Sequence, residues 1–237
     1  MNIKPSNNSS PEASQWKKSK TIVTYGPGVD VLTDVCTLHF HVPNKLGPSV
    51  LLYYRLTNFF QNHRRYVKSL DSEQLKGKAV RNDTIAHGLC APLQLNSSVK
   101  DQGFAYYPCG LIANSVFNDT FLSPVLLNVP SKGIGRRKDN ETYEMTEKNI
   151  AWASDKKLYA PTQYKWDQVA PPPNWRKRYP NGYTADHPPP NLQEDEAFQV
   201  WMRTAGLPTF SKLALRNDHD QMKEGTYEIE IRDSEFL

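Results

Sequence analysis

Three cysteines are the residues of this chain whose chemistry depends most on their surroundings. Cys90 and Cys109 flank a segment rich in turn-forming and polar residues. A disulfide that closes a loop of this length could contribute about 3 kcal/mol to stability. Cys36 is then left over, and an odd cysteine in an oxidising compartment needs an explanation. A metal site is disfavoured, because the sequence has no CxxC motif and no cluster of Cys and His.

Asparagine sequons are more frequent than chance predicts. About two N-x-[ST] sequons are expected for this composition, and the sequence contains six, beginning at Asn7, Asn8, Asn82, Asn96, Asn118 and Asn140. Chance is an equally good explanation for Asn7 and Asn8. We predict glycans on Asn82, Asn96 and Asn140, which lie in polar connecting stretches, and on Asn118, where a structural use of the side chain competes. Glycans would place the chain in a secretory compartment.

Residues suited to catalysis do not form a recognisable constellation. His39, His41, His63 and His87 have no carboxylate at an informative spacing, and Ser115 lacks the G-x-S-x-G elbow of a hydrolase. The sequence also has no phosphate-binding loop of the P-loop or Rossmann type. We therefore predict that the chain is not an enzyme and uses no cofactor or metal.

Alternating apolar and polar residues predict strands at residues 37–42 and 227–232, and an apolar run predicts another at 50–56. Two short helices are predicted. The first begins at Thr57 or Asn58 and runs to about Ser69. The second begins near Glu194, where acidic residues suit the helix dipole, and ends at the Gly206 stop signal. The chain is therefore predicted to be mainly β with added helices.

Two proline clusters, at residues 171–173 and 188–190, bracket Trp175, Tyr179 and Tyr183. Proline clusters favour extended backbone and exclude a central strand. The segment is predicted to be a long loop anchored by its aromatic residues. It is either a partner-recognition surface or a loop fixed to the body of the domain.

Composition indicates a folded, loop-rich domain, with 237 residues, 11% aromatic residues and a mean hydropathy of −0.66. No stretch approaches the roughly 20 apolar residues that a membrane-spanning helix needs, so we expect the sequence as it stands to be soluble. The net charge of +4 is dispersed among separate clusters, one of them at residues 136–138. These clusters show no nucleic-acid-binding motif, so no nucleic acid partner is predicted.

Four longer blocks carry a resemblance to a known family. They are YYRLTNFFQNHRRYVK at residues 53–68, PCGLIANSVFNDT at 108–120, NIAWASDKK at 149–157 and VWMRTAGLPTFSKL at 200–213. Together they resemble the cell division control protein 50 / ligand-effect modulator family, the accessory β-subunits of phospholipid flippases. Four long motifs in this order across most of the chain are very unlikely to recur by accident.

The resemblance implies an antiparallel β-sandwich ectodomain decorated by short helices and long loops. It implies a non-catalytic subunit that binds a type-IV P-type ATPase in a membrane phospholipid environment, and that the ATPase needs for folding, export from the endoplasmic reticulum and flippase activity. The implied location is the luminal or extracellular face of the endoplasmic reticulum, Golgi, endosome or plasma membrane. Cys90 and Cys109 match a disulfide pair of the family, and we predict that they are bonded. Candidate partner contacts are Trp175, Tyr179 and Tyr183.

The sequence departs from the family pattern at its ends. The two membrane helices of the family are absent, which suggests a truncated gene product or an excised ectodomain. The family partner of Cys36 is absent too, so Cys36 either lost it or is a buried thiol. We expect residues 1–30 to be flexible and residues 31–237 to form one extracytoplasmic sandwich that lacks a strand or more at its end, which would expose an edge. The alternative function is a secreted carbohydrate- or lipid-binding sandwich module.

Overall fold

A computed structural model of the chain describes residues 15–26, 28–97, 103–129 and 139–233. Within these ranges, strands β1 to β10 are Gln15–Gly26, Val29–Val42, Val50–Leu56, Ala105–Tyr106, Thr120–Phe121, Val125–Val129, Asp139–Thr142, Val169–Ala170, Phe210–Asn217 and Gly225–Asp233. Helices α1 to α6 are Arg64–Lys68, Ser72–Leu75, Asn82–Ala86, Leu111–Asn114, Ala153–Lys156 and Glu196–Met202. A 3₁₀ turn covers Pro173–Trp175.

The largest sheet has the strand order β1-β2-β10-β6-β7, and β5 also pairs with β10. Every pairing in it is antiparallel. A second antiparallel sheet joins β3 to β9, and β4 forms a short parallel pair with β8. The prediction of a mainly β, antiparallel fold with short added helices is confirmed.

Strand β10 shows why alternating residues form the centre of the large sheet. Tyr227, Ile229 and Ile231 are buried, and the residues between them face the other side. Tyr227 lies opposite Phe40 of β2 in the register, and Ile229 lies opposite Leu38. The rings of Tyr227 and Phe40 stack with their centroids 5.7 Å apart. Such cross-strand pairs stabilise one apolar face of the sheet.

The β3–β9 sheet packs on the large sheet. Val50 at the start of β3 joins an apolar cluster with Val42, Leu126 and Tyr227. Further along β3, Tyr54 stacks on Phe121 of β5, with ring centroids 6.0 Å apart. Two antiparallel sheets therefore face each other across apolar side chains, which is the layer arrangement expected of a sandwich.

One prediction about the ends of the chain needs correction. Residues 15–26, expected to be flexible, form β1, which pairs with β2 along its length. The β-branched run from Thr21 to Thr24 favours a strand, and Gly28, with φ at 72°, supplies the left-handed turn of the hairpin. The prediction for residues 1–14 lies outside the described residues. Strand β10 pairs with β2, β5 and β6, and the prediction that a strand or more is missing from the sandwich stays a prediction.

The first predicted helix is shorter than expected. It begins at Arg64 and not at Thr57 or Asn58. Asn58 has φ at 58°, in the left-handed region, and the Phe59 backbone N–H donates to the Pro208 carbonyl at 3.1 Å. The start of the predicted helix therefore pairs with a distant loop, a tertiary contact that local propensity does not report. The second helix is confirmed as α6, where Asp195 caps the backbone N–H of Phe198 at 2.8 Å.

Candidate functional site

The disulfide between Cys90 and Cys109 is confirmed, with the two Cα atoms 5.6 Å apart. Both half-cystines are buried and pack in a small apolar cluster with Ile85 and Ala105. Gln74, which is 1% exposed, accepts a hydrogen bond from the Cys109 backbone N–H at 3.0 Å. The bond therefore closes a loop over a second, smaller core next to the main one.

The aromatic residues proposed as partner contacts lie in the main core instead. Trp175, Tyr179 and Tyr183 are 8%, 2% and 5% exposed. The Trp175 indole donates to the Ala113 carbonyl at 3.0 Å, and the Tyr183 hydroxyl donates to the Tyr107 carbonyl at 2.6 Å. Burial raises the pKa of Tyr183 well above its usual value. The partner-contact prediction was wrong because the proline-bracketed segment folds back onto the domain, and the alternative, a loop fixed to the body by its aromatic residues, is confirmed.

Two of the sequon asparagines have side chains engaged in the fold. The Asn82 carbonyl oxygen accepts from the Ala105 backbone N–H at 3.2 Å, at the start of α3. The Asn96 carbonyl oxygen accepts from the Tyr106 hydroxyl at 3.3 Å, and Asn96 is only 5% exposed. A glycan must reach solvent from the amide nitrogen. Burial therefore disfavours glycosylation of Asn96 more than glycosylation of Asn82.

The other two sequons of the predicted set lie nearer to solvent. Asn140 is exposed in β7, and Asn118 is half-buried. Asn118 lines a cavity of about 430 Å³ beside α6, together with charged residues of both signs. Asn7 and Asn8 lie outside the described residues.

One histidine has a carboxylate partner that the linear sequence hides. His39 of β2 and Glu228 of β10 lie opposite each other, with Nε2 and Oε2 2.7 Å apart. Both side chains are more than a third exposed, so the pair is a surface contact of modest energy. Among the described residues, no group of three or more His, Cys, Asp or Glu is arranged to hold a metal ion.

The first, second and fourth sequence blocks of the resemblance meet at Trp201 of α6. The Trp201 indole donates to the Ile112 carbonyl of α4 at 2.9 Å. Its ring lies edge-on to Phe59, with centroids 5.4 Å apart. Trp201 is 1% exposed, so residues from blocks far apart in the sequence share one buried contact centre.

Gln61 joins the first block to the fourth. Its side chain is fully buried, and its Oε1 accepts from the Ala205 backbone N–H at 2.9 Å. Next to it, the Asn62 amide donates to the Gly206 carbonyl at 3.0 Å. Together with the Phe59 bond to Pro208 described above, three hydrogen bonds hold the loop at residues 57–63 beside the loop at 203–209.

The third block reaches the same loops through Arg203. The Arg203 guanidinium lies over the Trp152 ring, 4.4 Å from its centroid, and its Nη1 lies 3.1 Å from Asp155 Oδ2. Behind them, Glu196 accepts from Lys156 Nζ at 2.7 Å. Burial opposes ionisation of Glu196, but Lys156 and backbone N–H groups outweigh it and lower its pKa. The α5 helix is thereby fixed to α6.

Lys212 of β9 lies at the C-terminal end of α6. Its ammonium donates to the Val200 carbonyl at 3.0 Å and to the Arg203 carbonyl. Burial, assisted by the nearby Arg203 charge, lowers the pKa of Lys212 to about 8. A cation here satisfies carbonyl groups that a helix end leaves without partners.

Exposed apolar side chains project from these same blocks. Phe60, Trp152 and Leu207 are 58%, 65% and 70% exposed. Each lies next to, or in contact with, one of the residues that hold the loops together. The blocks therefore build both a rigid buried centre and a partly apolar surface above it.

Comparison with known proteins identifies the blocks. The model of the LEM3 (ligand-effect modulator 3) family / CDC50 family matches residues 7–236. The chain belongs to this family. It is 45% identical over 221 residues to the phospholipid-transporting ATPase accessory subunit CDC50 of Chaetomium thermophilum, covering 93% of this chain and 53% of that relative.

Other relatives of the CDC50 family are similar over the same region. Identity is 45% over 207 residues with the phospholipid-transporting ATPase accessory subunit CRF1 of Saccharomyces cerevisiae, covering 85% of this chain and 49% of that protein. Identity is 36% over 214 residues with cell cycle control protein 50A of Bos taurus, covering 83% of this chain and 54% of that protein. The chain thus spans about half the length of the curated relatives it matches. Within its described residues, no helix is long and apolar enough to cross a membrane.

Buried glutamines are the residues of this CDC50-family domain that sequence reasoning missed. Gln61, Gln74 and Gln199 are at most 1% exposed. Gln61 and Gln74 hydrogen-bond to segments far away in the sequence, whereas the Gln199 amide donates to the nearby Leu192 carbonyl at 2.8 Å. Glutamine is mostly exposed in proteins, so nothing in the local pattern marks these three. Their position inside or beside the family blocks is the one signal available without a structure.

Proposed function

We propose that this chain is the extracytoplasmic part of a non-catalytic accessory subunit of a phospholipid-transporting, type-IV P-type ATPase. The observation that carries the proposal is the 45% identity over 93% of the chain with a protein named as such an accessory subunit. The domain binds the ATPase by surface area and complementarity and performs no chemistry of its own. Its partner depends on it for folding, for export from the endoplasmic reticulum and for lipid transport.

The cysteine chemistry supports a compartment of the secretory pathway. A buried disulfide such as Cys90–Cys109 persists in the secretory pathway and at the cell surface, and is rare in the cytosol. It supports the proposal that the domain lies on the luminal or extracellular face of the endoplasmic reticulum, Golgi, endosome or plasma membrane. Glycans on Asn82, Asn118 and Asn140 fit this placement, whereas the buried Asn96 is the least favourable acceptor.

A secreted carbohydrate- or lipid-binding module is not favoured. That function needs exposed aromatic residues around a concave site. The aromatic residues that suggested it, Trp175, Tyr179 and Tyr183, are buried in the main core.

The test is affinity capture from membranes. The chain is expressed through a secretory pathway, immobilised and incubated with detergent-solubilised membranes of its host, and retained proteins are identified by mass spectrometry. Retention of a type-IV P-type ATPase is the expected result. If a folded and disulfide-bonded sample retains no such ATPase, this part of the subunit does not carry the interaction.

A further inference from the structure

We infer that the surface formed by Phe60, Arg64, Arg65, Trp152, Arg203 and Leu207 is the docking site for an acidic exoplasmic segment of the ATPase. We name it the aromatic–basic surface. The inference rests on the proposed function and adds to it the face of the domain and the charge of the partner. Its evidence is the rigidity, the composition and the charge of the three segments that build the surface.

The exposed apolar residues are held in fixed positions. Phe60 and Leu207 lie on two loops that three hydrogen bonds join, the strongest being the 2.9 Å bond from the Ala205 N–H to Gln61. Trp152 lies against Arg203, which Asp155 fixes from the other side. A surface that is already ordered loses little conformational entropy when it binds.

The composition is that of a protein-binding hot spot. Tryptophan and arginine are enriched where interface energy is concentrated. Here a tryptophan that is 65% exposed stacks with an arginine whose side chain is 53% exposed. An isolated exposed leucine is ordinary, but here three large exposed apolar residues lie on segments that hydrogen bonds and the Trp152–Arg203 contact connect.

The charge of the surface identifies the kind of partner. Residues 57–68, 150–158 and 203–209 contain six lysines and arginines and one acidic residue. Lys156 and Arg203 already pair with Glu196 and Asp155, so the positive charge left for a partner comes from the other four cations. Arg64 and Arg65 are exposed, and no carboxylate among the described residues pairs with either guanidinium. An acidic partner would complement this charge and be attracted to it.

A protein segment fits these observations better than a lipid headgroup layer does. A membrane surface is fluid and attracts clustered cations without needing a fixed arrangement. The aromatic–basic surface instead uses buried Gln61 and the Arg203–Asp155 pair to hold its loops at defined positions. Such positioning matters for a partner of defined shape.

The test compares variants for binding to a purified phospholipid-transporting ATPase from Chaetomium thermophilum in detergent. Trp152→Ala and Leu207→Ser remove exposed apolar groups and leave the core intact. Trp166→Ala is the matched control, since Trp166 is 45% exposed and lies in none of the three segments. Each surface variant is expected to weaken binding roughly tenfold or more, and the control less than about threefold.

A second pair of variants tests the charge. Arg64→Ala with Arg65→Ala is expected to weaken binding and to reduce its dependence on salt, because fewer ion pairs remain to be screened. Lys45→Ala with Lys165→Ala removes two exposed lysines elsewhere and is expected to change neither quantity. Urea unfolding of every variant confirms that it folds as the parent does.

The outcomes separate this inference from the proposed function. If the parent chain binds the ATPase and the surface variants bind equally well, the docking site is elsewhere and the accessory-subunit proposal stands. If the parent chain does not bind, this part of the subunit does not carry the interaction, and the inferred docking site is refuted with it. Flotation with vesicles of phosphatidylcholine and phosphatidylserine in equal parts tests the membrane. Variants that lose vesicle binding and keep ATPase binding would overturn the inference in favour of a lipid surface.

Discussion

Replacing Gln61 by leucine tests how the family blocks are held together. Gln61 is fully buried, and its strongest bond is the one its Oε1 accepts from the Ala205 N–H at 2.9 Å. Its amide contacts with the Trp201 carbonyl at 3.5 Å and the Tyr66 hydroxyl at 3.4 Å are long and contribute less. Leucine has a similar size, so the variant removes hydrogen bonds and creates little empty space.

The expected loss is about 2 kcal/mol of unfolding free energy. One well-formed hydrogen bond contributes about 1 kcal/mol, and leaving the Ala205 N–H without its partner in a half-buried position adds a cost of similar size. For a chain of this length, that corresponds to a fall in melting temperature of about 4–8 °C. The loop at residues 203–209 would also be less firmly held, because only the hydrogen bonds from Asn62 and Phe59 would still join it to the loop at 57–63.

Urea unfolding followed by tryptophan fluorescence measures the change. The control is Gln168→Leu, because Gln168 is exposed and accepts one backbone bond, from the Lys165 N–H at 2.8 Å. It is expected to cost less than about 0.5 kcal/mol. If Gln61→Leu costs no more than this control, Gln61 does not hold the two loops together, and the account of a rigid surface loses its support.

Other predictions concern the disulfide, the core, one buried cation and glycosylation. Reducing the Cys90–Cys109 bond should lower the unfolding free energy by about 3 kcal/mol, because it closes a loop with a sequence separation of 19; a urea midpoint that reductant leaves unchanged would contradict this. Trp175→Ala should cost about 3–5 kcal/mol, seen as a large fall in melting temperature, whereas a surface tryptophan would show almost none. The pKa of Lys212 is lowered to about 8 in the folded state, so between about pH 8 and pH 10 the unfolded chain binds more protons and stability rises with pH. The parent should gain stability over this range relative to Lys212→Met, and parallel pH profiles would refute the lowered pKa. Finally, Asn96→Gln should leave the endoglycosidase-sensitive mass unchanged, since Asn96 is 5% exposed; a loss of one glycan would show that it is an acceptor.

Features that depend on local patterns could be predicted from the sequence. The alternation around Tyr227 and Ile229 was enough to predict strand β10, because alternating apolar and polar residues are the pattern of a strand with one buried face. The end of the second helix was marked by Gly206, within a few residues of where α6 stops. The Cys90–Cys109 disulfide could be predicted from the spacing of the cysteines, the composition between them and the family resemblance together.

Features that depend on distant contacts could not be predicted. The sequence left open whether the Trp175 loop recognises a partner or is fixed to the domain, and this is decided by α4, whose Ala113 carbonyl accepts from the indole 62 residues away in the sequence. The first helix starts late because Phe59 pairs with Pro208. Gln61 has no local signal at all, since its partner Ala205 lies in another block. In each case a tertiary hydrogen bond decides the outcome.

The most direct test of the accessory-subunit account is an equilibrium binding measurement between the purified chain and a purified phospholipid-transporting ATPase. A calcium-transporting P-type ATPase in the same detergent serves as the comparison, because it shares the general architecture of the pump but transports no lipid. The account predicts saturable binding to the lipid transporter and none to the calcium pump. Equal binding to both, or binding to neither by a folded and disulfide-bonded sample, would contradict it.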